Sequence, residues 1–309
     1  MATAGPPPST VVPSVAPSRR RARHLAMVVL LAVLALVSTS CLLRAPTDPG
    51  PLRFRDEVFT AVTKTANVAY GQAVSQAGQN VTLRFDLYEP TGDEAPLRPL
   101  VIWIHGGSFA FGSRTSPEIV DQANIFARKG YVNASISYRL SERGCTVVDV
   151  GCIESMVDAT EDAQAAVRYF RANAETYGID PDRIAISGTS AGAITALHVG
   201  YRAQVPGNSG TPGPSSDVRA AVSFSGARLL GNCDTGDAPA LLLHGSADSV
   251  VPYAWAQNTI TCAHDADLWA HLTTWEGDGH VPYTEHREQI IEQTTNFLFN
   301  SLQVRPLIP

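Results

Sequence analysis

Residues 184–198 read "IAISGTSAGAITALH", and the rest of the chain is placed around them. A short apolar run ends at Gly188, and an Ala- and Leu-rich run begins at Ala191. The first has the composition of a buried strand and the second that of a helix. Ser190 therefore falls on the turn between them. A sharp strand-to-helix turn needs residues almost without side chains around its apex, because flanking Cβ atoms would collide with neighbouring backbone. Gly188 and Gly192 meet that need. A Gly-x-Ser-x-Gly arises by chance roughly 0.1 times in a chain of this length, so its surroundings have to carry the reading.

Upstream, "VTLRFDLYEP" (Val81–Pro90) alternates apolar and polar residues, as expected of a half-buried edge strand. "PLVIWIH" (Pro99–His105) is continuously apolar and stops at glycines, which predicts a strand buried on both faces. "SPEIVDQANIFARKG" predicts a helix, with Ser-Pro at its start and Gly at its end. "YVNASISYRL" predicts a further strand, and residues 154–174 a long helix. Downstream, "AAVSFSG", "ALLLHG" and "HLTTWEG" predict short strands, and "YAWAQNTITCA" and "HREQIIEQTTNFLFN" predict helices. Strands alternating with helices in one domain imply an α/β fold, with a mostly parallel central sheet and helices on both faces. "QVPGNSGTPGPSSD" (Gln204–Asp217) is expected as a surface loop.

The N-terminus is organised differently. Residues 1–18 are small residues and prolines, followed by Arg19, Arg20, Arg21 and Arg23, an uncharged apolar run and Ser38-Thr-Ser before Cys41. This is the pattern of an export signal or membrane anchor over residues 1–41. It resembles a bacterial lipoprotein signal with Cys41 as the lipid-modified residue, although Ser38 stands where an aliphatic residue is usual. A retained anchor over Leu25–Leu43 and simple secretion are the other readings. All three place the domain outside the cytoplasm, with membrane contact only through the signal, anchor or lipid. A Pro-rich tether is expected over residues 42–53 and the folded domain over 54–309. The net charge of −6 and the lack of a basic run beyond the signal exclude nucleic acid as the expected partner.

Cys145, Cys152, Cys233 and Cys262 remain, an even number that suggests two disulfides in an oxidising compartment. Three pairings exist; Cys145–Cys152, which closes a short loop, and Cys233–Cys262 are expected. The spacings lack a Cys-x-x-Cys, and no metal site is expected.

A serine hydroxyl needs a base to act at neutral pH, normally a histidine oriented by a carboxylate. In a parallel α/β sheet such groups belong at the C-terminal ends of strands. His280 in "EGDGH" follows the strand "HLTTW" at the correct end, and Asp248 in "HGSADSVVP" follows the strand before it. His264 and His271 flank a strand start, His286 lies in the last helix, and His244 is expected to pack near the site. Asp278 is too close to His280 in sequence to reach round to its ring, and Asp234 and Asp237 come one strand early. Fixed N–H donors for an oxyanion are expected at Ala191, after the serine, and at Gly107 and Ser108 in "HGGS".

"HGGSFAFGS", "SYRL", "DAQAAVRYFRANAETYGIDPDRIAISGTSAG", "LLHGSADSVVP" and "GDGH" together resemble the carboxylesterases of the α/β-hydrolase superfamily, nearest to the hormone-sensitive-lipase-like and bacterial acetyl or feruloyl esterase groups. The resemblance runs from about Val81 to Phe299. It implies a serine hydrolase of carboxylic esters without a cofactor, with Ser190 as nucleophile, Asp248 as acid, His280 as base, and Gly107, Ser108 and Ala191 as oxyanion donors. Many relatives carry a third glycine where Ser108 stands, and an acidic residue where Thr189 stands. The segment between "AAVSFSG" and "ALLLHG" is too short for a helical cap, so little or no cap domain and an open site are expected. That suits short-chain or polysaccharide-linked acyl esters, with Phe109, Phe111 and Trp255 placed either along an acyl pocket or in the core. A secreted serine peptidase of the same fold and a non-catalytic surface binding protein are the alternatives.

Overall fold

The computed structural model describes residues 42–44, 46–47, 50–201, 207–210 and 212–303. The expected export segment, Cys41 included, lies outside the described residues. The described chain forms one eight-stranded sheet in the order β1-β2-β4-β3-β5-β6-β7-β8. Its strands are β1 (Val62–Val74), β2 (Asn80–Pro90), β3 (Arg98–Ile104), β4 (Val132–Ile136), β5 (Ile179–Thr189), β6 (Ala220–Phe224), β7 (Ala240–Gly245) and β8 (Ala270–Trp275). β2 runs antiparallel to β1 and β4, and all pairings from β4 through β8 are parallel.

The continuous apolar strands are explained by burial on both faces. Along β3, Leu100, Ile102 and Ile104 enter one core while Val101 and Trp103 enter the other, the period of two that a pleated strand imposes. The first core is closed by α2 (Val150–Ala172), α4 (Ala191–Gly200) and α5 (Tyr253–Asp265), through residues such as Met156, Leu197 and Ala263. The second is closed by α1 (Pro117–Arg128) and α6 (Tyr283–Ser301), through Ile119, Phe126, Ile290 and Phe297. The short α3 (Ala174–Tyr177) leads into β5. Between β6 and β7 the described residues contain no helix, so no helical cap is inserted at that connection.

The structure corrects the reading of Val81–Pro90. β2 is not an edge strand: β1 pairs along its outer side and β4 along its inner side. β1 escapes a periodicity reading because its register shifts between Thr65 and Val68 and again between Ala69 and Gly71. Those shifts break the alternation on which the reading depends, and most of the strand's first half is exposed. α2 begins at Val150 rather than Glu154, because the Asp149 side chain accepts the Cys152 N–H at 2.9 Å and caps the helix there.

Both expected disulfides are formed, with Cα separations of 4.6 Å for Cys145–Cys152 and 5.8 Å for Cys233–Cys262. In residues 42–50, Leu42 and Leu43 pack against the second core. The Asn296 and Asn300 amides donate to the carbonyls of Leu43 and Leu42. Among the described residues no helix is long and apolar enough to cross a membrane.

Phe85 ties the antiparallel edge to the first core: it is fully buried against Phe170 at 4.7 Å and Tyr177 at 6.0 Å between ring centroids. Phe85→Ala is expected to lower unfolding free energy by about 3–5 kcal/mol in urea titrations. A loss below about 1 kcal/mol would show that this edge is not coupled to the core.

Candidate active site

Ser190 stands on the turn that joins β5 to α4, with φ 54° and ψ −117°. Its N–H donates to Phe224 O at 2.9 Å, and its carbonyl accepts from Ala193 N and Ile194 N. A Cβ on Gly188 would lie 2.2 Å from Gly192 O, and one on Gly192 would lie 2.2 Å from Ile104 O. The glycines are therefore required by close backbone approach, strand to helix in the first case and helix to β3 in the second.

The loop after β3 lies against this turn. A Cβ on Gly106 would sit 3.0 Å from Thr189 O, and Gly107, Ser108 and Phe109 have φ values of 114°, 48° and 59°. Ser108 thus holds a left-handed conformation that costs a non-glycine residue about 1–2 kcal/mol. The N–H groups of Gly107, Ser108 and Ala191 donate to no backbone acceptor among the described residues. Ser108 and Ala191 share one cavity with Ser190, whereas Gly107 is not part of its lining.

His280 lies on the loop after β8. Its Nε2 is 2.8 Å from Ser190 Oγ and its Nδ1 is 2.7 Å from Asp248 Oδ2. Asp248 is fully buried at its side chain. Its Oδ1 accepts the Val250 and Val251 N–H groups at 2.8 and 2.9 Å, and its Oδ2 also meets His244 Nε2 at 3.2 Å. Burial alone would push this carboxyl up, but the bonds from His244, His280 and Val251 N–H prevail and hold it well below the usual carboxylate range. With a folded value depressed, the stability Asp248 contributes is present above its ordinary value of 3.8 and is lost as pH falls through the folded value.

The two loops are laced together. Ala247 N donates to Asp278 O at 2.9 Å, and Val281 N donates to Ser225 Oγ at 3.1 Å. A Cβ on Gly245 would lie 2.4 Å from Asp278 O. The other histidines have separate employment. His286 stacks on Trp275 and bonds Asp278, and His264 Nε2 bonds Ala270 O at 3.1 Å. Sequence reasoning missed Ser225 and the Val250 and Val251 amides; backbone donors and a lone serine leave no pattern to find. His244 was placed near the site, but its contact with Asp248 was not read, although its position four residues before that aspartate is the signal.

The cavity at Ser190 has a volume of about 460 Å³. Ile194, Leu229, Phe109 and Trp255 form its walls, and Val147, Val148 and Val250 its rim. Val147 and Val148 lie on the loop clamped by Cys145–Cys152. Phe111 is 64% exposed and stands outside this lining, so of the aromatic residues weighed for a pocket only Phe109 and Trp255 reach it.

This strand order, with a serine on the β5–α4 turn, an aspartate after β7 and a histidine after β8, is that of the α/β-hydrolase fold. Residues 85–228 match the family described as BD-FAE, and residues 223–303 match the family described as TAP-like protein. Juvenile hormone esterase of Heliothis virescens is 29% identical over 150 residues, covering 48% of this chain and 26% of that protein. Phenmedipham hydrolase of Pseudarthrobacter oxydans is 36% identical over 114 residues, covering 37% and 22%. The matched stretch thus spans about a quarter of these relatives' length. Among solved structures, esterase 2 of Thermogutta terrifontis superposes with a TM-score of 0.64 at 21% identity, over 79% of this chain and 94% of that one. The chain has the α/β-hydrolase fold, and over parts of its length it is similar to esterases and other ester-type hydrolases.

Gly192→Ala is expected to cost more than about 2 kcal/mol of stability, because the added methyl meets backbone rather than a side chain that can turn away. Gly279→Ala, where a Cβ has open space, serves as the control and should be near neutral. Equal urea midpoints for the two variants would contradict the packing described.

Proposed function

We propose that the protein is a serine esterase that cleaves carboxylic esters through an acyl-enzyme. The observation that carries this is the continuous hydrogen-bonded line from Ser190 Oγ through His280 to Asp248, at 2.8 and 2.7 Å. Ser190 Oγ attacks the ester carbonyl while His280 Nε2 takes its proton. Asp248 holds the Nδ1–H and stabilises the imidazolium. The carbonyl oxygen gains negative charge beside the N–H groups of Ala191 and of the Gly107–Ser108 loop, which need not reorganise as the charge appears. Collapse expels the alcohol with the proton from His280. Water then repeats the sequence and frees the acid.

For the substrate we propose short-chain or polysaccharide-linked acyl esters. A pocket of about 460 Å³, with no helical cap inserted between β6 and β7, supports a small acyl group and an alcohol half that extends into solvent. For location we propose the extracytoplasmic side, secreted or held at the membrane's outer face. Two disulfides are compatible with that setting, and residues 1–41 have an export pattern.

Hydrolysis of p-nitrophenyl acetate, p-nitrophenyl palmitate and a dipeptide anilide tests the reading. Acetate should be turned over well and the other two poorly; preference for the anilide would favour a peptidase, and no turnover at all a binding protein. Ser190→Ala and His280→Ala should each lose roughly 10³-fold or more in kcat with modest change in KM. Full activity in either variant removes the assignment.

A further inference from the structure

His244 takes part in neither the attack nor the oxyanion, yet its side chain is completely buried beside the group that orients the base. Its Nε2 lies 2.9 Å from Val251 O and 3.2 Å from Asp248 Oδ2. A carbonyl can only accept, so the hydrogen is on Nε2. The N–H thus bonds the carbonyl, and the same nitrogen stands within ion-pair distance of the carboxylate. Nδ1 has no partner among the described residues and is buried. A histidine held in this tautomer, with one nitrogen left unsatisfied, is a costly way to fill a core position. An apolar residue would fill the space without that cost.

We propose that His244 is a positioning residue for the Asp248–His280 pair, an inference that rests on the serine-esterase reading above. Through Val251 O it ties down the segment whose N–H groups grip Asp248 Oδ1. It also draws on the charge of Oδ2, leaving less of it to stabilise the imidazolium. The other groups facing the pair are Ser190 on the β5–α4 turn and Tyr253 on α5, whose ring meets His244 at 5.9 Å between centroids. Of the carboxylates on the β8 loop, Asp278 is engaged by His286 and Glu276 by Ser246.

The sign of the effect follows. Without the His244 N–H, more of the carboxylate's charge acts on His280, its imidazolium is favoured, and a higher pH is needed to free the base. In His244→Leu, the acid limb of kcat/KM for p-nitrophenyl acetate should move up by roughly half a unit or more. At its new optimum, kcat should fall by about ten-fold or more with KM little changed. His244→Gln, which can return an amide N–H to the same place, should recover most of both. A folded His244→Leu protein with wild-type kcat and an unmoved acid limb overturns the proposal.

A second measurement does not depend on a variant folding. In the wild-type protein labelled with ¹⁵N-histidine, His244 should show the Nε2–H tautomer, and its Nε2 signal should shift as His280 titrates. The Nδ1–H tautomer, or no response to that titration, also overturns it. The two readings fail differently. Wild-type protein inactive on the acetate removes the esterase reading, whereas active wild type with an indifferent His244 removes only this one.

Discussion

At the centre of the molecule, three backbones meet without side chains between them. The end of β3, the end of β5 and the first turn of α4 approach so closely at Gly188 and Gly192 that a single methyl would lie 2.2 Å from a carbonyl oxygen. Much else in the site depends on that approach. It brings the β3 loop, with its unengaged N–H groups, against the turn that carries Ser190. It also holds Ser190 at φ 54°, a conformation a serine adopts only when its surroundings over-determine it. The β6 strand completes the restraint, because Phe224 O takes the Ser190 N–H.

The second half of the site is built from a different material. Asp248 and His280 sit on loops, which are mobile unless tied down. Here polar bonds do the tying: two backbone N–H groups on Oδ1, two histidines on Oδ2, and the cross-loop bonds at Asp278 and Ser225. Rigid strand packing sets Ser190, and a hydrogen-bond network sets Asp248 and His280. Such a network is expected to be sensitive to the loss of any one member, since each remaining buried group then loses a partner.

The sequence was most legible where chemistry is local. Ile184–Gly188 followed by Ala191–Gly200 could be read as strand and helix because burial on both faces makes the second half of β5 largely apolar. The order Ser190, Asp248, His280 followed from strand ends together with the order such groups take in this fold, and the structure brings these three side chains together. β1 was not legible: its register shifts erase the alternation, and its partner Val81–Pro90 consequently passed for an edge. Ser225 and the Val250 and Val251 amides were hidden for another reason. Their roles depend on which loop lies beside which, and the pairing of β6, β7 and β8 that decides this is a long-range property. Phe111 carries the same lesson, since apolar character could not say whether it faces the cavity or the solvent.

The central claim is that Ser190 is the reacting atom's residue, and covalent labelling tests it most directly. The intact protein is treated with a fluorophosphonate, digested with trypsin and mapped by mass spectrometry. A single adduct is predicted on the peptide between Arg183 and Arg202, at Ser190. It should be abolished in Ser190→Ala and strongly slowed in His280→Ala. An adduct on another residue, or an unlabelled protein that is folded and hydrolyses p-nitrophenyl acetate, would contradict the account.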